Sequence, residues 1–136
     1  SAVSNAQTAR ESLLEVIDCE RESVQESTAE LERLSEECQE CRSVQFDEKR
    51  FGELDAYRAR LGVMAHQCEK LSERRQNAVF DQRRIQRLPA DVPDVTVYFY
   101  QSLDADYPVM SLVAELVDTI TGLKDRVERA MMYCHA

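Results

Sequence analysis

The residues best suited to chemistry in this sequence are its cysteines and histidines. Cys38 and Cys41 stand two residues apart in the acidic stretch EECQECR, and Cys19, Cys68, Cys134, His66 and His135 complete the set. A tetrahedral zinc site usually draws four ligands from two short-spaced pairs. Only Cys38 and Cys41 have that spacing; the HQC (66–68) and CH (134–135) pairs do not. With a fold-back near Phe46, Cys68 is expected at the level of Cys19 to Val24, roughly 20 Å along the axis from Cys41 at the helical rise per residue. A redox Cys-x-x-Cys opens a helix, where the dipole lowers the thiol pKa. Here the pair lies deep inside an acidic segment, where Glu36, Glu37 and Glu40 disfavour the thiolate. Both cysteines therefore read as small apolar packing residues. The two histidines are far apart and have no evident nucleophile partner, and no glycine-rich phosphate loop occurs. The expectation is a non-enzymatic chain without catalytic residues, metal, cofactor or small-molecule substrate.

The elements that would position these residues are helices. Glycine and proline number three each in 136 residues, too few for the turns of a β-rich fold. Ile17, Val24, Leu31 and Cys38 fall seven apart, and Leu13, Leu34 and Cys41 lie in the companion series, with Glu20 and Ser27 as its weak members. Apolar residues at alternating intervals of three and four form a seam along one side of a helix. This predicts a helix over Ala6–Arg42. A second heptad, Leu54, Leu61 and Cys68 with Tyr57, Met64, Leu71, Ala78 and Ile85, predicts a helix over Glu48–Leu88, stopped by Pro89. Arg75 and Gln82 interrupt that seam, so looser or wetter packing is expected there.

The two seams do not join in register, which predicts a break within 43–51. Asp47 is a candidate cap, with Phe46 packing on Phe51 as a hydrophobic staple. Residues 1–48 hold thirteen acids and four bases, whereas residues 49–88 hold ten bases and five acids. Opposite charges on near-equal arms favour an antiparallel helical hairpin, although no Gly, Pro or Asn marks the turn. The alternative is a continuous parallel coiled-coil rod on the order of 130 Å long.

After Pro89 the sequence predicts an extended strap or strand, because VTVYFY (95–100) is wholly β-branched or aromatic. Asp106, Tyr107 and Pro108 read as the start of a C-terminal amphipathic helix. Its apolar residues, from Val109 to Met131, form a face broader than a two-stranded seam. The organisation expected is thus 1–88 as heptad-bearing helices and 89–136 as strap plus helix.

The function expected is a structural or scaffold subunit that assembles proteins by helix packing. That layout is shared by analogy with cytoskeletal, kinetochore and trafficking subunits. The expected partner-binding seam is Leu13, Ile17, Val24, Leu31, Leu34, Cys38, Cys41, Leu54, Leu61, Met64 and Leu71. Val95, Val97, Phe99, Leu112, Leu116 and Ile120 are the expected strand and helix interface. Arg74, Arg75, Arg83, Arg84 and Arg87 form a basic patch that either pairs with the acidic first helix or meets an acidic partner. A self-contained bundle that binds through its outer faces is the alternative. A net charge of −9 argues against nucleic acid, and no apolar run is long enough for a bilayer. Free cysteines and the lack of a visible signal segment point to a reducing interior, cytoplasm or nucleus.

Overall fold

A computed structural model describes residues 2–85 and 93–134; the side chains at 2, 9, 12, 13, 16, 79–85 and 93–106 lie outside that description. Three long helices, α1 (Ala2–Arg42), α2 (Phe51–Ile85) and α3 (Pro93–Tyr133), account for nearly all of it. No strand occurs among the described residues. The helices pack side by side as a bundle, and α3 makes the most extensive contact with each of the other two.

Cross-helix pairs fix the directions. Arg60 reaches Glu40, Arg74 reaches Glu30 and Arg75 reaches Glu20, so α2 ascends in number as α1 descends. Arg58 lies 3.7 Å from Glu128, and the Cys134 thiol meets the Lys49 carbonyl at 3.5 Å. The C-terminal end of α3 therefore sits beside the 43–50 connection, antiparallel to α2.

That connection interrupts the helix, so α1 and α2 are not one rod. It is a single turn of 3-10 helix, Phe46–Glu48, closed by Glu48 N–H to the Gln45 carbonyl and Lys49 N–H to the Phe46 carbonyl. Gln45 and Lys49 flank it with φ of −87° and −90°. No described residue has a positive φ, so the turn asks nothing that only glycine could supply. The expected staple is not formed as drawn. Phe46 is buried edge-on against Tyr57, with ring centroids 5.4 Å apart, and Phe51 is left about half exposed. Asp47 and Glu48 belong to the 3-10 turn, and the Arg50 carbonyl accepts the first α2 hydrogen bond, from Leu54 N–H.

The segment after Pro89 corrects the sequence reading. Residues 89–92 lie outside the described residues, but Val95–Tyr100 is helical, inside α3. β-Propensity reflects fit to a pleated surface between neighbours. A strand with no second strand leaves its N–H and C=O groups unpaired, whereas a helix closes them internally. Pro108, expected near the start of the last helix, lies in the interior of α3. It removes one backbone donor there.

The core gathers the inward series of all three helices. Leu31, Leu34, Cys38 and Cys41 come from α1, and Leu54, Leu61, Met64, Cys68 and Leu71 from α2. From α3 come Val109, Val113, Leu116, Ile120, Leu123, Val127 and Ala130, at strict intervals of four and three. The seam of α3 is thus narrower than its apolar content suggests. Leu112 and Val117 stand outside it, 47% and 39% exposed.

Candidate functional site

Three of the five cysteines are packing residues. Cys38, Cys41 and Cys68 are buried in the core, while Cys19 is exposed. Burial first, then the neighbouring Cys41 and Cys68, pushes the Cys38 thiol up to about 11. Burial likewise raises Cys41 and Cys68. Cys68 feels Glu30, so it lies nearer that level than the level of Cys19 to Val24 expected from the sequence. The reason is the connection, which spans 43–50 and moves the point of reversal beyond Phe46. Among the described residues, no three His, Cys, Asp or Glu side chains are placed to hold a metal ion. His66 Nδ1 lies 3.8 Å from Glu69 on the exposed face of α2.

A pH prediction follows for Cys38. In the unfolded chain its thiol ionises near 9.0, before the buried thiol does near 11. Unfolding then releases a proton, so the contribution to stability is full below about pH 9 and falls as pH rises toward 11. Urea titrations across that range should show the decline, and Cys38→Ala should lessen it, with the raised thiols of Cys41 and Cys68 keeping the remainder.

A polar layer crosses the far half of the α1–α2 contact. Arg75 is fully buried at a seam position, and its Nη2 donates to Glu20 Oε1 at 2.7 Å. Its Nη1 also approaches Ser23 Oγ at 3.5 Å. Two of the four polar residues that interrupt the seams in sequence, Glu20 and Arg75, are therefore matched across the helices. Arg74, beside it, pairs with Glu30 at 2.6 Å. Both arginines are engaged with α1; Arg75 is enclosed, whereas Arg74 keeps 53% of its side chain exposed. The side chains of Arg83 and Arg84, and Arg87 entirely, lie outside the described residues.

The same holds for the expected interfaces. Leu31, Leu34, Cys38, Cys41, Leu54, Leu61, Met64 and Leu71 are covered within the chain, as are Leu116 and Ile120. Ile17 and Val24 are half-buried. The side chains of Leu13, Val95, Val97 and Phe99 lie outside the described residues.

Among the described residues a groove lies open between α1 and α3, a hollow of about 320 Å³. Leu31, Cys38, Leu112 and Leu116 supply its apolar lining, and Thr28, Glu32, Ser35, Gln39, Arg42, Glu115 and Thr119 its flanks. The broad apolar face expected from the sequence takes Leu112 into the strand and helix interface. Its displacement from the four-and-three series of α3 is the signal that sets it outside. A second hollow, about 270 Å³, lies at the turn end beside Phe46. Arg126 closes that end, 5.0 Å above the Phe46 ring and donating to the Val44 carbonyl at 3.4 Å. No helix among the described residues is long and apolar enough to cross a membrane.

A family model described as a domain of unknown function, DUF7260, matches residues 1–124, which take in α1, α2 and most of α3. Neither a curated protein nor a solved structure matches the chain.

Proposed function

We propose that this chain, which belongs to the DUF7260 family, is a non-enzymatic helical module that holds proteins together through helix packing. The antiparallel α1–α2 pair is read here as a coiled-coil-like scaffold, completed by α3 and working inside the cell. One observation carries the reading. The seam residues from Leu31 to Leu71 are used in the chain's own core, yet large apolar side chains remain on its outer faces. Tyr107, Leu112, Val117, Met132 and Tyr133 along α3 are all exposed. Exposed apolar side chains scattered singly are ordinary, but Leu112 stands over the apolar lining of the α1–α3 groove, and contiguous apolar surface of that kind marks a place that meets another protein. The seam residues thus support the scaffold, and the outer faces bind.

Photo-crosslinking in the cell that makes the protein tests this role. A benzophenone amino acid would be placed at Tyr107, Leu112, Val117 or Met132, with exposed Glu69 as the control position. A discrete heavier adduct at one or more of the four, and none at Glu69, is expected. Uncrosslinked chain at every position would end the assembly reading.

A further inference from the structure

We propose that the groove between α1 and α3 seats a basic amphipathic helix of a partner protein. The inference rests on the assembly role above and names where and with what chemistry it acts. The groove runs along α1 from Thr28 to Arg42, about 21 Å at the helical rise per residue. The α3 wall is shorter, Leu112 to Thr119 or about 10 Å, so both walls together flank about two turns of a docked helix. Leu31, Cys38 and Leu116 are buried at its base, and Leu112 stands half exposed over it. Its threonines make no polar demand on an occupant. The Thr28 hydroxyl donates to the Val24 carbonyl at 2.9 Å, and Thr119 to the Glu115 carbonyl at 3.0 Å. Small flanks of this kind let a helix approach closely, as ridges into a groove.

Charge selects the occupant. Glu32 and Glu115 stand exposed on opposite walls, and no cation pairs with either among the described residues. Arg42 is the single cation on the lining, at the turn end. The helices forming the walls are acidic throughout: α1 has eleven acids to four bases, and α3 seven to three. α2 is the basic helix, with seven bases to five acids, but Arg58, Arg60, Arg74 and Arg75 are turned to acids of α1 and α3. The groove lining therefore keeps a net negative charge, two carboxylates to one guanidinium. A second copy docking through α1 or α3 would meet like-charge repulsion, and one docking through α2 would offer Arg58, Arg60, Arg74 and Arg75 already paired with its own acids. A partner helix with an apolar stripe bordered by Lys or Arg matches both the lining and the walls.

The test uses the whole chain and two synthetic helices of about three heptads. Both carry the same leucine stripe, one flanked by lysines and the other by glutamates, and binding is read by fluorescence anisotropy. The lysine helix should bind at least about tenfold more tightly than the glutamate helix. Leu112→Asp, and separately Glu32→Lys with Glu115→Lys, should each weaken it by about tenfold or more. All three positions are exposed, so the melting midpoint should hold; if Leu112→Asp lowers it, the charge-reversed pair decides alone. Equal binding of the two helices would overturn the proposal. So would lysine-helix binding that the charge reversal leaves unchanged. A free chain of doubled mass that Leu112→Asp returns to a monomer would make the occupant a second copy instead. Crosslinks at Tyr107 or Met132 without one at Leu112 would leave the assembly role standing and end this inference.

Discussion

Replacing Arg75 with alanine is expected to lower the free energy of unfolding by about 3–5 kcal/mol, the loss typical when one member of a buried ion pair is removed. Arg75 has no exposed side-chain surface, and Glu20, which it meets at 2.7 Å, is only 11% exposed. Alanine would leave the Glu20 carboxylate facing a protein interior with no cation. For a chain of this size the melting temperature should drop on the order of 10 °C or more. The double variant Arg75→Met with Glu20→Leu is the informative contrast. Replacing a buried pair by apolar residues of similar volume is often neutral or stabilising. It should recover most of the loss, and a double-mutant cycle in urea would give the coupling. A loss below about 1 kcal/mol for Arg75→Ala would place the pair among solvent-screened surface bridges. The layer also holds information about register. Only one pairing brings the cation in the α2 seam to the carboxylate in the α1 seam. Sliding α1 by a heptad would leave both buried and unpaired.

The second large effect is expected at Ile120. Ile120→Ala should cost about 2–5 kcal/mol, because Ile120 is 1% exposed in the middle of the α3 seam and truncation leaves a cavity that close-packed neighbours fill only in part. The form of the transition matters as much as its midpoint. Core residues of α1, α2 and α3 belong to one cluster, so the whole helical signal should still melt in a single step at the lower temperature. Loss of only a third of the helicity in a separate early step would show α3 to be an appendage on an independent pair. Met132→Ala, on the exposed side of the same helix, should change stability by less than about 0.5 kcal/mol.

Much of this fold was legible one residue at a time. Ile17, Val24, Leu31 and Cys38 at sevens, and Leu54, Leu61 and Cys68 in a second series out of step with the first, imply two helices with a break between them. Glu20, Ser27 and Arg75 looked like flaws in those seams. They occupy inward positions nonetheless, Ser27 and Arg75 buried and Glu20 paired. Two errors share a cause. The run VTVYFY was read from its local preference, and Pro108 from its habit of opening helices. Both preferences are worth about 1–3 kcal/mol per site, and the backbone hydrogen bonds that a continuous 41-residue helix closes internally outweigh them. The missing turn glycine misled in a related way. The chain reverses through Gln45, the 3-10 turn and Lys49, all at φ values open to any residue.

The candidate site was less legible, for a physical reason. Heptad periodicity reports which residues face inward along a helix and is silent about what covers them. From sequence, Leu31, Leu61 and Ile120 could equally have met a partner chain or one another. Sequence by itself determined the helical character, the inward series, the interruption between 43 and 51 and the segregation of charge. These are local or periodic properties, set by side-chain spacing and backbone stereochemistry. Only the tertiary structure decided that α3 fills both seams and that Arg75 finds Glu20. It alone decided that Leu112, Glu32 and Glu115 come together across an open groove. Those outcomes depend on the relative rotation and register of three helices. That choice is made by the burial of all the seams at once, and no single stretch of sequence contains it.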